Sequence, residues 1–158
     1  MPDMAELIRA DHLRISKVIG QLDIALAEPW PADTRPEADL MWDMLAGFLR
    51  SHVDAAQEIA YLVLAGADPD TALAIGQASE AGADVYEATE EARLSRAGSR
   101  TWRMAVQTAC RAAQTHIACV ESGPLIRYQH HTAPAARRAM GRQWVFFMTA
   151  RVLDGYVR

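Results

Sequence analysis

The chain has 158 residues, of which 51% are apolar and 23% charged, and a formal net charge of −4. That length suits one domain with a continuous core, the apolar share argues against intrinsic disorder, and two cysteines are too few for a disulfide scaffold. Charges interrupt every apolar run short of the roughly 20 residues a membrane span needs. The opening MPDMAELIRADH has neither the basic start nor the apolar block of a secretory signal, so a soluble cytoplasmic protein is expected.

Hydrophobic periodicity is helical throughout, alanine (the strongest helix former) supplies 30 residues, and no segment alternates like a strand. A first helix is predicted from Asp3 to Pro29, followed by a loop over Pro29–Pro36, where three prolines forbid a helix. A second runs from about Glu37 to Ala65. The run Gly66-Ala67-Asp68-Pro69-Asp70 ends it and supplies a capping acid for a third, which extends to about Ala97. Gly98-Ser99 breaks the chain again, and Ser99 caps a fourth helix reaching Gly123-Pro124. A looser segment with His130 and His131 leads to a fifth helix from about Pro134 to Tyr156. Long helices with short connections give antiparallel neighbours. The predicted fold is therefore all-α: one domain over 1–158, an up-down-up-down four-helix bundle over about 3–123, and an additional C-terminal helix.

Charge is uneven along this bundle. Residues 1–91 hold 18 acids and 5 bases, whereas residues 92–158 hold 11 bases and 2 acids. The basic half has no nucleic-acid motif, so acidic and basic faces are expected to pair within the bundle, with no nucleic acid and no membrane as partner. The fifth helix carries Met140, Trp144, Phe147 and Met148 on one side; this face covers the bundle or meets a second subunit as a homodimer.

The core seams carry the chemical signal. The first helix reads Ile8, His12, Ile15, Ile19, Leu22, Leu26; the second Met41, Leu45, Phe48, His52, Ala55, Ile59, Leu62; the fourth Trp102, Val106, Ala109, Ala113, His116, Val120. Each seam is apolar except for one histidine. At about 1.5 Å rise per residue the three histidines fall within roughly 10 Å of one level in an antiparallel bundle. Either each is a core histidine satisfied by its own neighbours, or the three share a metal, which neutral imidazole binds well.

The early Asp11-His12-Leu13-Arg14, the later Ser51-His52-Val53 and the late Gln114-Thr115-His116-Ile117 together resemble the hemerythrin-like, or HHE cation-binding, domain over roughly residues 5–125. The resemblance implies a four-helix bundle holding non-heme iron, with binding or sensing of O2 or nitric oxide. It also implies a glutamate four residues after the second- and fourth-helix histidines and a histidine on the third helix. This chain has Ala56 and Val120 at the first two positions and no histidine over 71–97, so the di-iron ligand set is incomplete.

Substitute ligands are Glu58, Glu121 and Asp84. Glu58 and Glu121 lie about 240° and 140° around an ideal helix from their histidines and need a local distortion such as a π-bulge to reach inward. Asp84 belongs to a stripe with Glu80, Glu87 and Glu91 beside the seam Ala74, Ala78, Ala81, Val85, Ala88, Ala92; the stripe reads first as an ordinary solvated face, from which Asp84 or Glu80 could still reach inward. Cys119 is a soft ligand or a buried structural thiol, and it cannot pair with Cys110 on the opposite side of its helix. His130-His131 is expected to be exposed.

The metal centre is thus expected on His12, His52 and His116, with iron or zinc as one or two ions and a small gaseous ligand or small-molecule substrate beside it. A small-molecule enzyme using the bundle cavity and a metal-free interaction module are the alternatives.

Overall fold

The computed structural model describes residues 2–27, 35–64, 66 and 68–156. It is helical, with no strand among the described residues: α1 (Met4–Ala25), α2 (Arg35–Ala55), a π-helical turn (Ala56–Tyr61), α3 (Leu62–Leu64), α4 (Pro69–Leu94), α5 (Arg100–Ser122), α6 (Pro124–His131) and α7 (Pro134–Tyr156). None of these helices is long and apolar enough to cross a membrane.

Local chemistry sets the starts. Asp3 accepts from the Glu6 amide at 3.1 Å while Glu6 accepts from the Asp3 amide at 3.0 Å, a reciprocal cap that begins α1. Asp68 caps α4 through the Thr71 amide and hydroxyl, with Pro69 in the first turn. Ser99 caps α5 as expected, after Gly98 at φ +74° makes the turn.

Two expected boundaries move. α1 ends at Ala25 rather than Pro29, and most of the proline loop, 28–34, lies outside the described residues. The expected loose segment around His130-His131 is the helix α6, because Pro124 opens it and Leu125 and Tyr128 bury one side of it. Both histidines are exposed.

The seams of α1 and α5 are buried at every predicted position. That of α2 is rotated: Trp42 and Leu49 are core, Met41 and Phe48 only half-buried. Past Ala55 the π turn inserts an extra residue, so Ala60, Tyr61 and Leu64 face inward while Leu62, predicted to be core, is 68% exposed.

Packing divides the interior into two apolar clusters. One joins Ile15, Ile19 and Leu22 of α1 to Trp42 and Leu45 of α2, Val85 of α4 and Val106 of α5. The other joins Met4 and Ile8 to Ala55, Tyr61, Leu64, Val120 and Tyr128, and to Met140, Trp144 and Met148 of α7. The start of α1 thus meets the far ends of α2 and α5, which places those helices antiparallel to it. The apolar side of α7 covers the bundle, leaving Phe146 78% exposed on its outer side. Arg127, Arg137 and Arg151 from the basic half pair with Asp68, Asp3, Asp54 and Glu58 from the acidic half.

α7 crosses the start of α1 backbone to backbone at Gly141, where an added Cβ would stand 2.5 Å from the Pro2 carbonyl oxygen. Gly141→Ala is expected to cost about 1–3 kcal/mol and to lower Tm by several degrees in thermal melts. Gly20→Ala, in mid-helix with no atom near the new methyl, should instead raise stability by about 0.5–1 kcal/mol.

Candidate functional site

The boundary between the two clusters is a layer of histidines. On α1, His12 stands between Ile8 of one cluster and Ile15 of the other; on α2, His52 between Ala55 and Leu49; on α5, His116 between Val120 and Ala113. All three rings are almost wholly buried. Their centroids lie 5.0 Å apart for His12–His52 and 5.9 Å for His52–His116, each pair edge to face. Opposite them α4 contributes Gly82, whose missing side chain leaves room beside the His116 ring. The small residues of α4 make space for imidazoles where its partner helices supply them.

Each ring turns Nδ1 toward an oxygen. His12 Nδ1 is 2.8 Å from Glu121 Oε1, His116 Nδ1 is 3.2 Å from the Ala78 carbonyl, and His52 Nδ1 lies 3.6 Å from Asp11 Oδ2, too far for a hydrogen bond. His12 Nε2 and His52 Nε2 are 3.2 Å apart. The nitrogens left over are His52 Nδ1 and His116 Nε2, both buried without a partner.

Proton positions follow from these contacts. Glu121 as a carboxylate only accepts, so His12 carries its proton on Nδ1 and its Nε2 is an acceptor. His52 must then donate from Nε2, which leaves its Nδ1 lone pair facing the Asp11 carboxylate. Asp11 is held there by the Trp144 indole N–H at 3.0 Å and by Arg14 at 3.3 Å. With His52 in its neutral form, no proton stands on the side of Asp11.

Burial, reinforced by the neighbouring His52, pulls His12 down to about 4; burial with His52 and His12 pulls His116 down to about 3. Both are neutral at pH 7 and available as ligands. The Glu121 contact works the other way on His12, and burial outweighs it.

Of the expected substitute ligands, Glu121 reaches the cluster, but at the outer nitrogen of His12 and with its side chain 45% exposed. Glu58 does not: the π turn leaves it 58% exposed and paired with Arg151. Asp84, with Glu80, Glu87 and Glu91, points to solvent, because the burial of Ala81, Val85 and Ala88 fixes the opposite face of α4. Cys119 is half-buried and Cys110 buried, both free, with burial pushing the Cys110 thiol up to about 12. Ala56 and Val120 are buried apolar residues, so no carboxylate bridges two ions there.

Sequence reasoning gave Asp11 and Trp144 no role at this site. Asp11 was legible as a carboxylate next to a seam histidine; Trp144 meets it across 133 positions of sequence, with no local signal. Beside His52 is a cavity of about 10 Å³, lined also by Met4, Ile8, Tyr61, Leu64 and Val120. It holds about one water-sized guest. A substrate of several atoms, as the small-molecule enzyme alternative needs, has no room there unless the helices part.

Among the described residues, no three histidine, cysteine or carboxylate side chains already stand at the spacing to hold an ion. No known protein family, curated protein or solved structure matches the chain.

The depressed histidines set a pH dependence. As pH falls below about 6.5 the unfolded chain takes up protons that the folded rings refuse until about 4 for His12 and about 3 for His116. Folding stability from these rings is therefore complete above pH 6.5 and lost below it, at up to about 1.4 kcal/mol per pH unit for each. Melts of metal-free protein from pH 7.5 to 4.5 should show Tm falling below 6.5, and His116→Gln should flatten the slope. Equal slopes in both proteins would contradict the assignment.

Proposed function

We propose that the chain is a non-heme metal-binding helical bundle of the hemerythrin-like kind, holding one ion on Nε2 of His12, His52 and His116. The two buried ring nitrogens without a partner, His52 Nδ1 and His116 Nε2, carry this reading. Replacing the proton between His12 and His52 by a metal ion lets His52 carry its proton on Nδ1, toward Asp11, while His12 keeps its own toward Glu121. The same ion gives the orphaned His116 Nε2 a partner. Histidine ligands whose outer nitrogens face carboxylates or carbonyls are the usual support of a metal site.

Distance favours the first two ligands. Nitrogens about 2.0–2.1 Å from a tetrahedral ion stand about 3.3 Å apart, close to the 3.2 Å between the two Nε2 atoms. The third position requires the His116 ring to shift toward that point. Iron is the preferred ion on the resemblance, and zinc suits the same donors. Ferrous iron there would supply an open position for a small gaseous ligand such as O2 or nitric oxide. The chain's own part is to fix the ring orientations through Glu121, Asp11 and the Ala78 carbonyl, and to exclude bulk water. A second ion has no support, since the bridging positions are Ala56 and Val120.

Metal analysis after anaerobic loading with ferrous iron, and separately with zinc, should find one ion per chain. His12→Ala, His52→Ala and His116→Ala should each lose it, and Glu121→Gln and Asp11→Asn should weaken binding by about 10- to 100-fold. Wild-type protein that retains no ion from either loading would overturn the proposal and leave the metal-free interaction module.

A further inference from the structure

We propose that α7 is a lid over the histidine layer, which an ion reaches when this helix lifts, and that Trp144 couples the seating of the lid to ion binding. All three rings are closed off from solvent, His52 completely. The element that closes His52 is α7: the Trp144 ring stands edge-on to it at 5.4 Å and is itself 2% exposed. Glu121, the exposed neighbour of the layer, stands at the outer nitrogen of His12, away from the two Nε2 atoms.

α7 is seated as an element that can leave. It joins α6 through Thr132 and Ala133 alone and rests chiefly on α1 and α2. Its inward side carries Met140, Gly141, Trp144 and Met148, while Val145 and Phe146 face out. Among the described residues, the cluster of Ile15, Leu45, Val85 and Val106 contains none from α7, so that half of the bundle stays packed when α7 lifts. The ion pairs of Arg137 with Asp3 and of Arg151 with Asp54 and Glu58 join partly exposed groups and hold the helix weakly.

The buried tie is the indole N–H. Asp11 Oδ2 lies 3.0 Å from Trp144 Nε1 and 3.6 Å from His52 Nδ1. The proposed ion site needs a proton on that His52 nitrogen, so the coupling rests on that reading. Seated, α7 keeps water off Asp11 and holds its oxygen where the His52 N–H must meet it; lifted, α7 gives up both. Whatever factor the seating of α7 adds to ion affinity, ion binding adds to the seating of α7. Trp144 is thus a positioning residue that acts through Asp11.

Hydrogen exchange of metal-free protein tests the lid without the ion. Amides of Met140–Met148 should exchange about 10-fold or more faster than those of Ile15–Leu22 and Val106–Ala113, through an opening with weaker denaturant dependence. Exchange of α7 at the same rate and with the same denaturant dependence would show that it leaves only on global unfolding, and would overturn the lid. Zinc-loaded protein tests the coupling. There the α7 amides should slow by about 10-fold or more, and zinc release to excess EDTA should run at a rate independent of EDTA concentration. Trp144→Phe, which keeps a ring and removes the N–H, should speed release by about 10-fold, the loss of one hydrogen bond to a carboxylate. Phe146→Ala, on the outer side, should leave the rate unchanged. Exchange of α7 unmoved by zinc, or equal release from Trp144→Phe and wild-type protein, would overturn the coupling. Failure to load zinc would remove the ion site and the coupling together, and leave the lid to stand or fall on the first measurement.

Discussion

The 3.2 Å approach of His12 Nε2 to His52 Nε2 is the constraint around which the interior is arranged. Two imidazoles at that distance share one proton, and their neighbours are arranged by which ring supplies it. Glu121 decides the matter for His12, the Trp144 indole and Arg14 anchor Asp11 against His52, and the conflict falls on His52 Nδ1. The unpartnered His52 Nδ1, His116 Nε2 and Tyr61 hydroxyl cost on the order of 1–3 kcal/mol each. A domain of ordinary stability has about 5–15 kcal/mol in total. The proposed ion would offset that cost at the two ring nitrogens.

Helix placement makes that layer possible. α1, α2 and α5 each change from one apolar cluster to the other at their histidine, so the polar layer falls where neither cluster needs a large side chain. α4 meets the layer with Ala78, Ala81 and Gly82. At Gly82 a methyl group would press on Val53 at 2.9 Å and come into ordinary contact with the His116 ring at 3.6 Å. A bulky residue there would displace the ring, so the small residues of α4 are a spatial requirement of the layer as well as a means of close packing with α5.

The histidine layer was legible because seam arithmetic is robust in unbroken helices: α1 and α5 follow a regular repeat from cap to cap, and every seam position predicted for them is buried. α2 was read less well. Its actual core line runs through Trp42 and Leu49, and with Met41, Met44, Leu45, Phe48 and Leu49 all apolar, periodicity alone did not settle which side faces inward. Beyond Ala55 a fixed repeat fails in principle, because the π turn adds a residue without a mark such as proline or glycine. Asp84 and its acidic neighbours were ambiguous on α4, where alanines bury and carboxylates solvate on adjoining faces. Glu121, expected as a substitute ligand, stands at His12 Nδ1, a placement spacing alone does not give, since whether a carboxylate meets a metal or the far side of a histidine depends on ring orientation.

The π turn and α7 belong to the same structural solution. A regular helix past Ala55 would turn Leu62 toward the second cluster and close it with aliphatic carbon. The extra residue turns Tyr61 there instead, and the cluster is completed from outside by Trp144 and Met148 of α7. Trp144 then serves both halves of the arrangement: its ring stacks edge-on to His52 at 5.4 Å while its N–H holds Asp11. The C-terminal helix is therefore more than a cover over a finished four-helix bundle. Without it, Asp11 would lose the buried N–H that, with Arg14, holds it beside His52. The carboxylate contacts of the site thus come from α1, α5 and α7, while the apolar side by Tyr61 follows from one inserted residue in the helix that carries His52.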